Sequence, residues 1–206
     1  MAGPGMEGRN ARMRAAGIGA AACFVLALTG FGAALDGYAH AAWPVALLGA
    51  AGVPRAAAFN LLGFIVPGLL AAWVAWQRRA GLAARAGVGA RLGWTLALLA
   101  ALAFAAQGLL PLDPSAPDAG RGRLHAVAWS LWGLAFAAAA LALAGSALRG
   151  GNMASALGHL GAGILVFAPA WLAADTLPVA LAQRLAFVAW FAWLVAAALA
   201  PRQRAH

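Results

Sequence analysis

Lysine does not occur in this chain, and only five of its 206 residues are acidic. Charged residues make up 9% of the total, against roughly 25% in soluble domains. That scarcity excludes the solvated, charge-paired surface of an ordinary globular domain. A single cysteine, Cys23, excludes an internal disulfide. No serine elbow, paired-histidine metal helix or glycine-rich phosphate loop is present.

What is present is hydrocarbon. Residues AVILMFWYC supply 65% of the chain, concentrated in six runs near 15–35, 56–76, 92–112, 124–148, 154–172 and 185–199. The last extends outward to about 180. A bilayer crossing needs about 20 mainly apolar residues, so the pattern predicts an all-α membrane protein, a bundle of six transmembrane helices over 15–200. Residues 1–14 are expected as a disordered cytoplasmic tail and 201–206 as a second one. Residues 9–14 followed by an apolar run resemble a secretory leader. The run at 15–35 exceeds the usual leader core of about 7–15 residues, however, so it reads as a retained first span.

The formal net charge is +9, and all fourteen basic residues are arginine. They form no stripe, which argues against nucleic acid as a partner. Together with the alanine content, the Arg-only usage points to a bacterial chain. With six spans, Arg9, Arg12, Arg14, Arg78, Arg79, Arg85, Arg91, Arg149, Arg202 and Arg204 fall on one side. Arg55, Arg121, Arg123 and Arg184 fall on the other. The positive-inside bias then predicts both termini in the cytoplasm of a bacterial inner-membrane protein.

Polar chemistry gathers on the outer side. Residues 110–125 form the densest polar segment, with Asp113, Asp118, Arg121, Arg123 and His125. Asn60 and Gln107 lie a turn or so below the outer ends of their spans. An amide in hydrocarbon is costly unless bonded, so both should face the bundle interior. His125, Trp129, Trp132 and Phe136 recur at helical spacing and form one stripe. Outward spans end at Asp36, Asp113 and Asp175, read individually as turn residues. The connection 36–55 is semi-apolar and reads as re-entrant or surface-lying.

Three functions fit these residues. The leading one is a lipid-associated protein with an outward polar pocket for an anionic head group, bound by Asn60, Gln107, Asp113, Arg121, Arg123 and His125, with Trp129 and Trp132 along the chain path. The second is an outer-face enzyme using Asp113 and His125 as an acid–base pair. The third is a structural or assembly partner without a small-molecule site. A haem or metal held by His40 and His125 lacks tight ligand spacing, so no cofactor is expected.

Two segments add a resemblance. Tyr38, His40, Gly49, Pro54, Arg55, Asn60 and Gly63 form one, and Gly108, Pro111, Asp113, Pro114, Arg123 and His125 the other. Their arrangement resembles the domain of unknown function 998 family of prokaryotic multi-pass membrane proteins. Members often carry Ser-Glu where Ala46 and Leu47 stand here. The resemblance implies a helical membrane fold. Through fold-level likeness to eukaryotic lipid-remodelling proteins, it also implies a lipid role.

Overall fold

A computed structural model describes residues 4–84, 86–171 and 177–201. Arg85, Asp175, Arg202 and Arg204, and the end of the fifth predicted span at Leu172, lie outside the described residues. Six helices carry the fold: α1 (Pro4–Ala33), α2 (Ala56–Ala80), α3 (Val88–Leu109), α4 (Gly120–Arg149), α5 (Met153–Trp171) and α6 (Val179–Leu199). Five are long and apolar enough to cross a membrane. The apolar part of α5, Met153–Pro169, is shorter. Among the described residues there is no strand.

The first helix departs from expectation. It starts at Pro4, so most of the stretch expected as a disordered tail is helical. Proline is tolerated in a first turn. The Arg, Met and Ala residues that follow are good helix formers, which lets the apolar helix propagate back through them.

A second local feature of α2 surrounds Pro67. The irregularity falls just before it, as a π-helical turn over Asn60–Ile65. Proline offers no N–H and its ring crowds the carbonyl four residues back, here Gly63. Widening the preceding turn moves that carbonyl aside. The Cys23 thiol donates to the Leu62 carbonyl within the widened turn, at 3.1 Å.

The α4–α5 connection is a tight turn. Gly151 takes φ +72°, where a glycine is favoured, and Asn152 N–H bonds the Ala147 carbonyl. Asn152 Oδ1 then accepts from Ser155 N–H at 2.9 Å and caps α5.

The helices form a closed ring in chain order. Each packs against its sequence neighbours, and α6 closes the circle on α1. Alanine and glycine make the close approaches, including Gly68 against Ala105, Gly93 against Leu143 and Gly163 against Ala140. Small residues matter here because lipid supplies no hydrophobic drive between helices, leaving packing to hold them. Such a ring leaves a central space, which aromatic rings fill. Phe24, Phe64, Phe104, Trp132, Phe187 and Trp190 are each at most 3% exposed.

At one end of the ring the arginines bond helix termini. Arg78 donates to the carbonyls of Ala197, Ala200 and Pro201 at the end of α6. Arg91 donates to those of Ala83, Ala84 and Ala86 in the α2–α3 connection. Helix C-termini carry unpaired carbonyls and partial negative charge, which cations relieve. The opposite end holds the 34–55 and 110–119 connections. The 34–55 segment does not lie flat on the surface. Its 3-10 turn Val45–Gly49 inserts into the mouth of the ring, burying Val45, Ala46, Leu48 and Gly49.

Candidate functional site

The mouth of the ring is assembled from four helices and two loops. α3 brings Gln107 in its last turn, α4 brings His125 and Trp129, α2 brings Phe64, and α6 brings Gln183 and Phe187. Together they surround a cavity of about 230 Å³, with Pro44, Ala46 and Leu112 completing its wall. Among the described residues around it, none is Asp, Glu, Lys or Arg.

Two of its polar groups are poised. The His125 Nδ1 lies 2.8 Å from the Leu110 carbonyl, just past the end of α3. A carbonyl can only accept, so this contact assigns the ring proton to Nδ1 and leaves Nε2 a lone pair. The Gln107 carbonyl is a second backbone acceptor beside the ring. Gln107 is 1% exposed, and its Nε2 has no partner among the described residues. A buried donor left unpaired costs roughly 1–3 kcal/mol. The protein carries that cost at the wall of a cavity.

The eight sequence-predicted residues separate into three groups. Gln107, His125 and Trp129 come together at the cavity. Asn60, Asp113 and Trp132 are occupied elsewhere. Asn60, 5% exposed, donates its amide to the Gly49 carbonyl at 2.9 Å and so anchors the inserted 3-10 turn. No Cβ fits at Gly49, because it would overlap the Asn60 amide. Trp132, fully buried, packs among Phe104, Phe187 and Trp190 in the solid core. Trp129 above it is half-buried and stacks on Trp171 at 5.5 Å.

Asp113 accepts at one oxygen from the Ser115 N–H at 3.0 Å and the Ser115 hydroxyl at 2.6 Å. That is an Asx-type turn. The Ser115 hydroxyl above all holds the carboxyl below its ordinary range, with the Ser115 and Ala116 amides and the Arg121 charge adding to it. With Asp113 bonded to Ser115 and His125 to Leu110, no hydrogen bond joins the two as an acid–base pair.

Arg121 and Arg123, the third group, are exposed on the first turn of α4. Helical phase distinguishes them. Arg121 is four residues before His125 and stands one turn above it on the same face. Arg123 is two residues away, rotated by about 200°. Neither lines the cavity, and only Arg121 shares the face of His125.

Four further polar residues, Tyr38, His40, Gln183 and Arg184, lie near the mouth of the ring. The structure joins them into a clamp over the inserted loop. Gln183 Oε1 accepts from Val45 N–H at 3.1 Å. Arg184 donates to the Trp43 carbonyl at 3.0 Å and the Tyr38 hydroxyl at 2.8 Å, with His40 Nδ1 at 3.3 Å. Burial raises the Tyr38 pKa, and Arg184 partly offsets this. The signal was legible: Gln183 and Arg184 are adjacent polar residues within an otherwise apolar run.

A larger groove, about 400 Å³, opens between α1 and α2 around Leu26, Phe31, Arg55 and Leu62. Its walls are almost wholly apolar, and it lies apart from the cluster at the mouth. Among the described residues no group of three or more His, Cys, Asp or Glu is arranged to hold a metal ion. No protein-family model, no curated protein and no solved structure matches this chain.

Proposed function

We propose that this chain is a lipid-binding protein of a bacterial inner membrane, with six spans and both termini in the cytoplasm. The end-bonding arginines then face inward and the cavity faces outward. Ten arginines against four across the predicted sides support that orientation, and the chain-order ring supports counting α5 as a span. The resemblance to the domain of unknown function 998 family agrees with this reading. A membrane-impermeant maleimide should label Asp118→Cys in intact cells, and Asn152→Cys only after permeabilisation. The reverse pattern would invert the topology.

The polar head of a membrane amphiphile enters the cavity, and its hydrocarbon extends along the bundle into the bilayer. One observation carries this: the Gln107 amide, buried and unpaired, at the wall of a cavity that a membrane lipid can enter. An acceptor oxygen from a ligand removes the penalty of the orphan donor. The cavity is smaller than the about 300–1,000 Å³ that holds a whole drug-sized ligand, so it takes a head group and not an entire lipid. An anionic group stays at the mouth beside Arg121.

Native mass spectrometry of gently extracted protein tests this. Wild type is expected to retain an amphiphile that Gln107→Leu releases. The variant should unfold no more easily than wild type, because it removes an unsatisfied donor at nearly constant volume. Equal retention by both proteins would remove Gln107 from the site, and the lipid-binding reading with it.

A further inference from the structure

We infer that the group received by this cavity is an uncharged, hydroxyl-bearing aromatic ring, the chemistry of a membrane quinol. The inference rests on the amphiphile-binding reading above and narrows its ligand. Three observations point the same way. First, no charged residue lines the cavity among those described, so a phosphate or ammonium entering it would lose its hydration without an ionic partner. Second, two polar groups of the lining, Gln107 and His125, are complementary to each other. Gln107 Nε2 offers a hydrogen, and His125 Nε2, with its proton assigned to Nδ1 by the Leu110 carbonyl, offers a lone pair. A hydroxyl satisfies both kinds of site, since it donates and accepts. A carbonyl oxygen only accepts, so it answers Gln107 and leaves His125 unpaired. Third, Phe64, Trp129 and Phe187 supply ring faces and edges around these groups, and aromatic ligands gain from edge and offset contacts with such walls.

The consequence is a preference between two redox forms of one ligand. A quinol donates to His125 and accepts from Gln107. The corresponding quinone keeps the second contact and loses the first. A charged phospholipid head, by contrast, draws on Arg121 at the mouth.

Purified full-length protein in nanodiscs is titrated under argon with a decyl-tailed benzoquinol and, separately, with the matching quinone. The quinol is expected to bind about tenfold tighter. His125→Phe should abolish that preference, and Gln107→Leu should weaken both forms. Arg123→Ala, about 200° around α4 from His125, should leave both unchanged. If His125→Phe does not fold, the wild-type preference and the Gln107→Leu result carry the test. Equal affinity for the two forms, no binding of either, or a loss on Arg123→Ala as large as that on Gln107→Leu would overturn the quinol assignment. Failure of the underlying reading looks different. If neither quinol nor any co-purified amphiphile depends on Gln107, the pocket itself is wrong. If a phospholipid is retained through Gln107 while quinol is ignored, only the ring is wrong.

Discussion

Phe104→Ala is expected to destabilise the bundle by about 3–5 kcal/mol, the range for truncating a fully buried aromatic. Phe104 is 0% exposed and stands at the centre of the ring. Its ring meets six others: Phe24, Phe64, Trp132, Phe187, Trp190 and Phe191, with centroids between 4.6 and 6.1 Å. These belong to α1, α2, α4 and α6, so one truncation opens a void shared by five of the six helices. Lipid cannot fill that void, and the rings around it lose dispersion contacts outright. Equilibrium unfolding in mixed micelles measures the loss. Leu102→Ala, two residues away on the opposite face of α3 and 45% exposed, serves as the comparison and should stay within about 0.5 kcal/mol. Similar losses for the two would mean that the aromatic centre does not hold the ring together.

Gly68→Val should separate α2 from α3. A Cβ at Gly68 would lie 2.7 Å from the Ala105 backbone nitrogen and 2.8 Å from its Cα. Those atoms belong to a helix backbone and cannot rotate away as a side chain can. Overpacking typically costs about 1–3 kcal/mol, and valine should reach the upper end or beyond because its branches extend the clash. Alanine at the same position should already cost measurably. Gly30→Ala is the control, since nothing lies within 4 Å of a Cβ there. It should be neutral or mildly stabilising, as alanine is the better helix former. Because α2 and α3 also carry Phe64 and Gln107, Gly68→Val should loosen the cavity as well as the fold. Reduced amphiphile retention alongside the lower unfolding midpoint would register both effects, and an unchanged midpoint would contradict the close approach.

The membrane character and most helix positions were readable from the chain because hydrocarbon length is a local property. Runs such as 92–112 and 124–148 correspond to α3 and α4 with small shifts at their ends. The ends shifted where a local rule met a longer-range one. Residues near Arg9 and Arg12 looked like a tail by composition, yet continue α1 because a helix already nucleated in an apolar run extends at little cost. The Asx turn at Asp113 was legible for the same local reason: an aspartate beside Pro114 and Ser115 bonds its own neighbours.

The site was legible only in part. Burial of Asn60 and Gln107 followed from the cost of polar groups in hydrocarbon, and both are at most 5% exposed; His125, read as part of the outer rim, is buried as well. Their partners did not follow. Whether an interior amide bonds a loop carbonyl, as Asn60 does with Gly49, or stays unpaired at a cavity, as Gln107 does, depends on which segments the fold brings beside it. The aromatic stripe below His125 posed the same problem. Phase showed that Trp129 and Trp132 share a face, but depth decided that one borders the cavity and the other fills the core.

By itself the sequence determined that this chain buries its backbone in helices inside an apolar solvent, that its polar residues collect near 110–125, and that its few interior amides turn away from lipid. These follow from the free energy of single groups in hydrocarbon, which needs no knowledge of neighbours. Only the tertiary structure decided that the helices close into a ring, that the 45–49 turn plugs its mouth, and that Gln107 and His125 face one cavity while Asp113 does not. Those outcomes depend on shape complementarity between segments far apart in the chain. Packing of that kind has no local signature in an alanine-rich sequence, where nearly every helix face is small enough to approach nearly every other.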